Sequence, residues 1–472
     1  MFAFTLRPVV LGVFATALVW ALVLGWWRAV GYEPGTIELA THLLLLPGTL
    51  LAGFWLLRTF IEHLRLPPAA TVSHERGSNA PLPAVASAPT RHPQTFLIAF
   101  ALQCAHGTDA AEVLDAARQG CMPPLDDDLR DAHGFPVFAA RVADLSPGDA
   151  DRTPNESAID IGLTDGEEDT RALEMLHGAL PRALDELAEF VAPDPAVVRT
   201  VLWLADRDRP DEHGARLATW LRREHLAPRG IAATNVCLHH PRDDAHSFEL
   251  IDALAADLDR LSSPALALVL AAVSHVGERT VAAWEAASHL FTANTQDGRI
   301  PGEAAAVLVL ANREGAVLVR RLSSPRLSHS ASGRFSPADD FRAKTVTPLL
   351  GRLIDTILTD TQVDAARVSS VLADADHRTP VTRDLLRTLS ERFPTLEPLS
   401  DMLNLGNATG FTAPIGGLVT LLCAAEAASA TEGVALCLTC QSPHARAAIV
   451  IDARPPSALS PTPTPDPAPD AT

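Results

Sequence analysis

Two apolar stretches near the amino terminus, residues 9–27 and 39–57, each approach the ~20 residues that a helix needs to cross the ~30 Å hydrocarbon layer of a bilayer. Lipid offers a backbone no water, so such stretches are confined to helices whose hydrogen bonds are all internal. The connector, residues 28–38, carries a Pro34-Gly35 turn signal, so residues 1–65 are predicted to form a transmembrane helical hairpin. Neither stretch is followed by a small-residue cleavage site, and the second span follows directly, which separates the pattern from a secretory signal. Trp26, Trp27 and Trp55 stand near span ends, where indoles favour the interface. Arg7, Arg58 and Arg65 on one side outnumber Arg28 on the other, which predicts both ends in the cytoplasm. Gly12, Ala15, Gly48 and Ala52 would let the hairpin pack closely against another membrane protein.

The chain has 472 residues, and its 57 acidic against 38 basic side chains give a net charge of −19. Phosphate backbones are bound by clustered Lys and Arg, so nucleic acid is excluded as a partner. Residues 66–93 are rich in Pro and Ala and read as a tether, and residues 455–472 read as a disordered Pro-rich tail. The six cysteines are spread thinly, as in a reduced cytoplasmic domain. Cys437 and Cys440 match C-x-x-C within an apolar run, but residues three apart on a strand point to opposite faces and cannot pair or share a metal.

Between tether and tail, short apolar runs alternate with helical patterns. Strands are predicted at 95–101, 135–142, 197–204, 231–238, 265–274 and 304–311, and helices at 110–118, 170–191, 214–224 and 247–261. Such alternation indicates an α/β fold with buried sheets. Asp126, Asp127 and Asp128 and the acidic residues 165–169 lack the spacing of a calcium loop and read as solvated loops. His239, His240 and His246 lack a fourth ligand at zinc spacing, and Gly410–Gly417 lacks the lysine of a phosphate-binding loop. No cofactor and no metal are expected.

The stretch Gly298-Arg-Ile-Pro-Gly-Glu-Ala-Ala-Ala-Val-Leu-Val-Leu310 resembles the turn and long strand of the thiolase-like, β-ketoacyl synthase superfamily. The helix at 247–261 with the strand at 265–274 is similar to that superfamily's nucleophile helix and following strand. Val371-Leu-Ala-Asp-Ala375 resembles the strand bearing its first catalytic histidine, and Asn404-Leu-Gly-Asn-Ala-Thr-Gly410 its second catalytic loop. The pair of segments 434–439 and 446–451 resembles its closing strands. The resemblance implies a five-layer α-β-α-β-α fold of two similar halves, here 94–312 and 313–454, dimerising through the first half.

Enzymes of this kind need a cysteine at the amino end of the nucleophile helix, where the helix lowers the thiol pKa and backbone N–H groups hold the oxyanion. By the resemblance that position falls at His246 or Ser247, the first histidine position at Asp374 with His377 three residues on, and the second at Asn407. Asparagine there matches only one sub-branch. Ser247 would need a neighbouring base, for which His246 and His275 are the candidates, and the chain has no Gly-x-Ser-x-Gly elbow. Cys237 reads as a buried thiol inside an apolar strand.

Two functions follow from the resemblance. One is a non-catalytic scaffold or adaptor with a protein partner, similar to degenerate thiolase-like proteins encoded beside bacterial type VI secretion clusters. The other is a membrane-associated acyltransferase or 3-oxoacyl synthase acting on acyl-CoA or acyl carrier protein. An acidic carrier would need a basic patch such as Arg222, Arg223 and Arg229, or Arg320, Arg321 and Arg326. A structure without paired halves would select a third reading, an unrelated α/β domain.

Overall fold

Long, wholly apolar strands form only where both faces of a sheet are covered. The strand β7 (Glu303–Ala311) is buried at every position, and β6 (Leu266–Ser274) at all but one. The computed structural model describes Trp20, Trp26 and Arg28, and residues 95–143, 145, 166–188, 197–205, 211–335 and 349–455. The chain divides into two compact units, Met1–Ala88 and Pro89–Thr472. Apart from Trp20 and Trp26, the predicted spans at 9–27 and 39–57 lie outside the described residues, as do the tether at 66–93 and all but the first residue of the tail. Among the described residues no helix is long and apolar enough to cross a membrane.

In the second unit, the first half comprises β1 (Thr95–Cys104), α1 (Ala110–Arg118), β2 (Leu125–Arg130), β3 (Pro136–Phe138), α2 (Glu167–Ala188), β4 (Val197–Ala205), α3 (Asp211–Leu221), β5 (Ala232–His239), α4 (Asp244–Asp259), then β6, α5 (Glu278–Ala286) and β7. After α6 (Arg313–Leu318), the second half comprises β8 (Arg326–Leu327), β9 (Ala331–Arg334), α7 (Leu349–Thr361), β10 (Val368–Ala373), α8 (Thr379–Arg392), β11 (Met402–Asn404), α9 (Gly406–Thr409), α10 (Gly416–Thr431), β12 (Val434–Thr439) and β13 (Ala445–Asp452).

The halves repeat one topology. In the first, the strand order is β5-β4-β6-β7-β1, with β5, β4 and β6 parallel and β7 antiparallel to both neighbours. In the second, β11-β10-β12-β13-β9 follows the same order and the same directions. The short strand β8 pairs with both β1 and β13 and joins the two sheets along their edges.

Three hydrophobic cores set five layers. The first core lies between the sheets and holds α4 and α10. On the outer face of the first sheet, α2 and α3 cover a second core, and on the outer face of the second sheet α7 and α8 cover a third. The apolar positions of α4, among them Phe248, Ile251, Ala255 and Leu258, fall on one helical face. The helix α10 is buried almost all round, as its mostly apolar sequence requires in a central layer.

Several expected elements shift. The predicted strand at 135–142 shrinks to β3, which pairs with β2 in a separate ribbon. Asp126 is not in a solvated loop: it is buried, accepts from Arg141 Nε at 2.6 Å, and accepts the Asp128 and Leu129 N–H groups. The helix expected at 247–261 starts at Asp244, because Asp243 caps it by accepting the His246 N–H at 2.9 Å. By contrast, the helix at 110–118 stands where predicted, closed by a capping box between Asp109 and Glu112.

Candidate functional site

The amino ends of α4 and α10 meet in the central layer, and the acidic pair Asp243-Asp244 divides its work between them. Asp243 caps α4, whereas Asp244 reaches to the other half and accepts the Gly417 N–H at 2.8 Å. A carboxylate at a helix amino end is favoured by the unpaired N–H groups and the helix dipole. Asp244 is nonetheless buried, and its second oxygen has no partner. Burial first, and the neighbouring Asp243 charge, push its pKa up to about 6 against the pull of the Gly417 N–H.

Ser247 lies a turn further along α4, fully buried, and its hydroxyl donates to the Pro414 carbonyl at 2.6 Å. A carbonyl is no general base, so this proton is held in a structural bond and not set for transfer. His246 is half-buried, and its Nδ1 accepts from the Arg242 N–H at 3.1 Å. Burial first, and then Arg242, lower its pKa. His275, the other candidate base, has its Nε2 on the Ala413 carbonyl at 2.9 Å and its ring between Trp284 and Phe411. Neither histidine holds the Ser247 proton.

Asp374 follows the end of β10. One oxygen accepts the N–H groups of Cys440 and Gln441, and the other is buried without a partner. Burial, and then the charge of Asp244, raise its pKa well above the ordinary carboxylate range. The two acids therefore sense each other, and like charges in a dry site favour one shared negative charge over two. Gln441 knits the surroundings, with Nε2 donating to the Gly410 carbonyl at 2.8 Å and Oε1 accepting the Thr412 N–H at 3.2 Å. The Thr412 hydroxyl is also buried and unpartnered. A side chain at Gly416 would strike Thr412 Oγ1 and crowd Gln441 Oε1, which shows how tightly these groups enclose the start of α10.

Asn407 belongs to α9, half-buried, with its Oδ1 enclosed and unpartnered. Gly406 beside it lies against the carbonyls of Asp374 and Ala375, leaving no room for a side chain. The structure thus brings the predicted Asp374 and Asn407 segments together. Asp244 opens the same helix that carries His246 and Ser247 and bonds across to the start of α10. Asp244, Gln441 and Thr412 were missed in the sequence, where the doubled aspartate at a helix start was the available signal.

Glu303 of the resembling turn is fully buried and structural. It accepts from Arg171 Nε at 2.9 Å, from the Val142 N–H at 2.7 Å and from the Ser274 hydroxyl at 2.7 Å. Cys237 is half-exposed on the edge strand β5, a correction to its expected burial, because nothing described lies beyond β5 in the sheet. Cys437 and Cys440 fall in different cores and face opposite sides, as strand geometry required. Among the described residues, no three His, Cys, Asp or Glu side chains are grouped to hold a metal. Arg229, Arg321 and Arg326 of the suspected basic patches pair with Asp185, Glu186 and Asp452. A narrow crevice against α4 is lined by Ile251, Asp252, Ser328 and His329 among others, and by none of His246, Ser247, Asp374 or Asn407.

Two halves of one topology, with paired central helices between two sheets, define a thiolase-like fold. Solved ketosynthases share it. The ishigamide ketosynthase/chain length factor superimposes with a TM-score of 0.55 at 12% identity over 76% of this chain and 99% of that one. A β-ketoacyl synthase from Burkholderia phymatum STM815 gives 0.52 at 13% identity over 76% and 99%. The module 6 ketosynthase of the bacillaene synthase from Bacillus subtilis 168 gives 0.52 at 13% over 77% and 73%. No protein-family model and no curated protein matches the sequence.

Proposed function

We propose that this protein is a membrane-anchored, non-catalytic thiolase-like scaffold or adaptor. One observation carries the reading: the amino end of α4 presents a carboxylate, Asp244, which caps the opposite helix by accepting the Gly417 N–H at 2.8 Å. A buried carboxylate in that place repels the oxyanion that acyl transfer would develop there. The anchor rests on the two apolar stretches at 9–27 and 39–57. A homodimer is supported by β5, an edge strand with half-exposed Val236, Cys237 and Leu238 that would extend its sheet with a second copy. A place beside a bacterial type VI secretion system rests on the sequence resemblance, and the partner would be a protein of such an assembly.

Ser247, near the amino end of α4, favours a second reading, an acyltransferase or 3-oxoacyl synthase acting on acyl-CoA or acyl carrier protein; its bond to the Pro414 carbonyl opposes it. Intact-mass measurement of the full chain after incubation with a panel of acyl-CoA thioesters separates the two. The scaffold predicts no adduct on folded protein. An adduct mapped to Ser247 or Cys237 would overturn it in favour of acyl transfer.

A further inference from the structure

Arg299 stands apart from the other buried or half-buried cations of the fold. Its backbone is pinned, with its N–H donating to the His289 carbonyl at 2.6 Å and its carbonyl accepting the Phe291 N–H at 2.9 Å. Its guanidinium lies 4.3 Å from the Phe411 ring centre and 5.6 Å from that of Trp284, and these two rings meet edge to face at 5.5 Å. The cation sits against both rings, and its N–H groups remain for another partner. Among the described residues, no carboxylate or carbonyl accepts from them.

The neighbouring Arg378 shows what satisfaction looks like here. It pairs with Asp376 at 2.8 Å and donates to the Gln441 carbonyl at 2.8 Å. Its own guanidinium is 5.7 Å from the Phe411 ring centre, so two cations flank one ring and a single carboxylate, Asp376, offsets them. Burial and the charge of Arg378 lower the Arg299 pKa, and Asp376 raises it only in part. A second polar atom lacks a partner beside Phe291. The Nε2 of His377 is enclosed without a hydrogen bond, and its ring packs at 4.8 Å on Phe291, whose N–H bonds the Arg299 carbonyl. A cation held on aromatic rings without a counter-charge attracts an oxyanion, and an enclosed polar atom such as His377 Nε2 is costly to leave without a partner.

We propose that Arg299 and His377, on the Phe411–Trp284 platform, form a binding site for a small molecule bearing a carboxylate or a phosphate group. Arg299 offers a two-pronged fork to two oxygens of the group, and His377 in its Nε2–H form donates to one of them. Arg299 is half-buried, so the ligand reaches it from solvent while the rings exclude water from one side. The site does not depend on the scaffold reading and would exist in an enzyme equally.

The test is calorimetric titration of the full-length protein in detergent at low salt, with sodium phosphate in one series and sodium malonate in another. Saturable one-site binding is expected for at least one anion, and which one identifies the source of the oxyanion. Arg299→Gln should weaken it at least about tenfold, Arg299→Lys should weaken it because lysine lacks the fork, and His377→Gln should weaken it less. Arg260→Gln, at an exposed ion pair with Asp257, should leave it unchanged. No saturable binding by either anion in the wild type overturns the proposal. So does unchanged affinity in Arg299→Lys and His377→Gln, which applies even where Arg299→Gln does not fold.

Discussion

Replacing Asp244 by Asn tests the buried acid pair directly. Asparagine keeps an oxygen to accept the Gly417 N–H, which Asp244 now accepts at 2.8 Å, but it carries no charge. In the wild type the folded-state pKa is about 6 against the ordinary 3.8. The folded chain therefore holds a proton that the unfolded chain has already released, so Asp244 makes stability fall as pH rises from about 4 to about 6. Two pKa units of difference correspond to about 3 kcal/mol at 1.36 kcal/mol per unit. The Asp244→Asn variant should lack this loss. It should also let Asp374 ionise more readily, because the charge of Asp244 helps to hold the Asp374 pKa up. Chemical unfolding of the full chain in detergent, followed by circular dichroism at pH 4 and pH 7, gives the difference between variant and wild type. That difference should move in favour of the variant by about 2 to 3 kcal/mol between the two pH values. A difference that stays constant with pH would refute the placement of a strained carboxylate at the head of α10.

Three further outcomes follow. Ser247→Ala should destabilise the fold by about 1–3 kcal/mol in the same unfolding assay, since it strands the buried Pro414 carbonyl that the hydroxyl now satisfies at 2.6 Å. Glu303→Gln should cost roughly 3 kcal/mol or more, because it leaves the enclosed Arg171 guanidinium without its counter-charge, and far less loss would show that the pair is idle. In native protein, a thiol alkylating reagent read by peptide mass spectrometry should modify Cys121 and Cys237 first. Cys104, Cys423, Cys437 and Cys440 are buried with pKa values raised by burial, so early labelling of any of them would contradict the layered core.

What was legible in the sequence was whatever is written in local periodicity. The unbroken apolar runs of β6 and β7 announced a sheet covered on both faces, and the alternation of strands with helices announced the α/β class. The helical pattern placed α1 to the residue, and the capping box found there explains why, since both of its hydrogen bonds close locally. The resemblance to thiolase-like proteins implied paired halves, and the strand order of the two sheets repeats. Where the reading slipped, a long-range contact had intervened. Asp126 reads as loop until Arg141 is seen to hold it, and residues 135–142 read as strand until all but β3 leaves the ribbon.

The site divides along the same line. Sequence alone determined that no cysteine stands near His246 and Ser247, and Asp243 and Asp244 just before them were passed over in it. Only the tertiary structure decided which partner each of these groups holds. The bond from Asp244 to Gly417 spans 173 residues, that from Ser247 to Pro414 spans 167, and that from Glu303 to Arg171 spans 132. Periodicity reports which face of an element is dry, because burial is a property of each residue's own surroundings. Partner choice among buried polar groups is set by which helix ends the two halves bring together, and no local pattern carries that information.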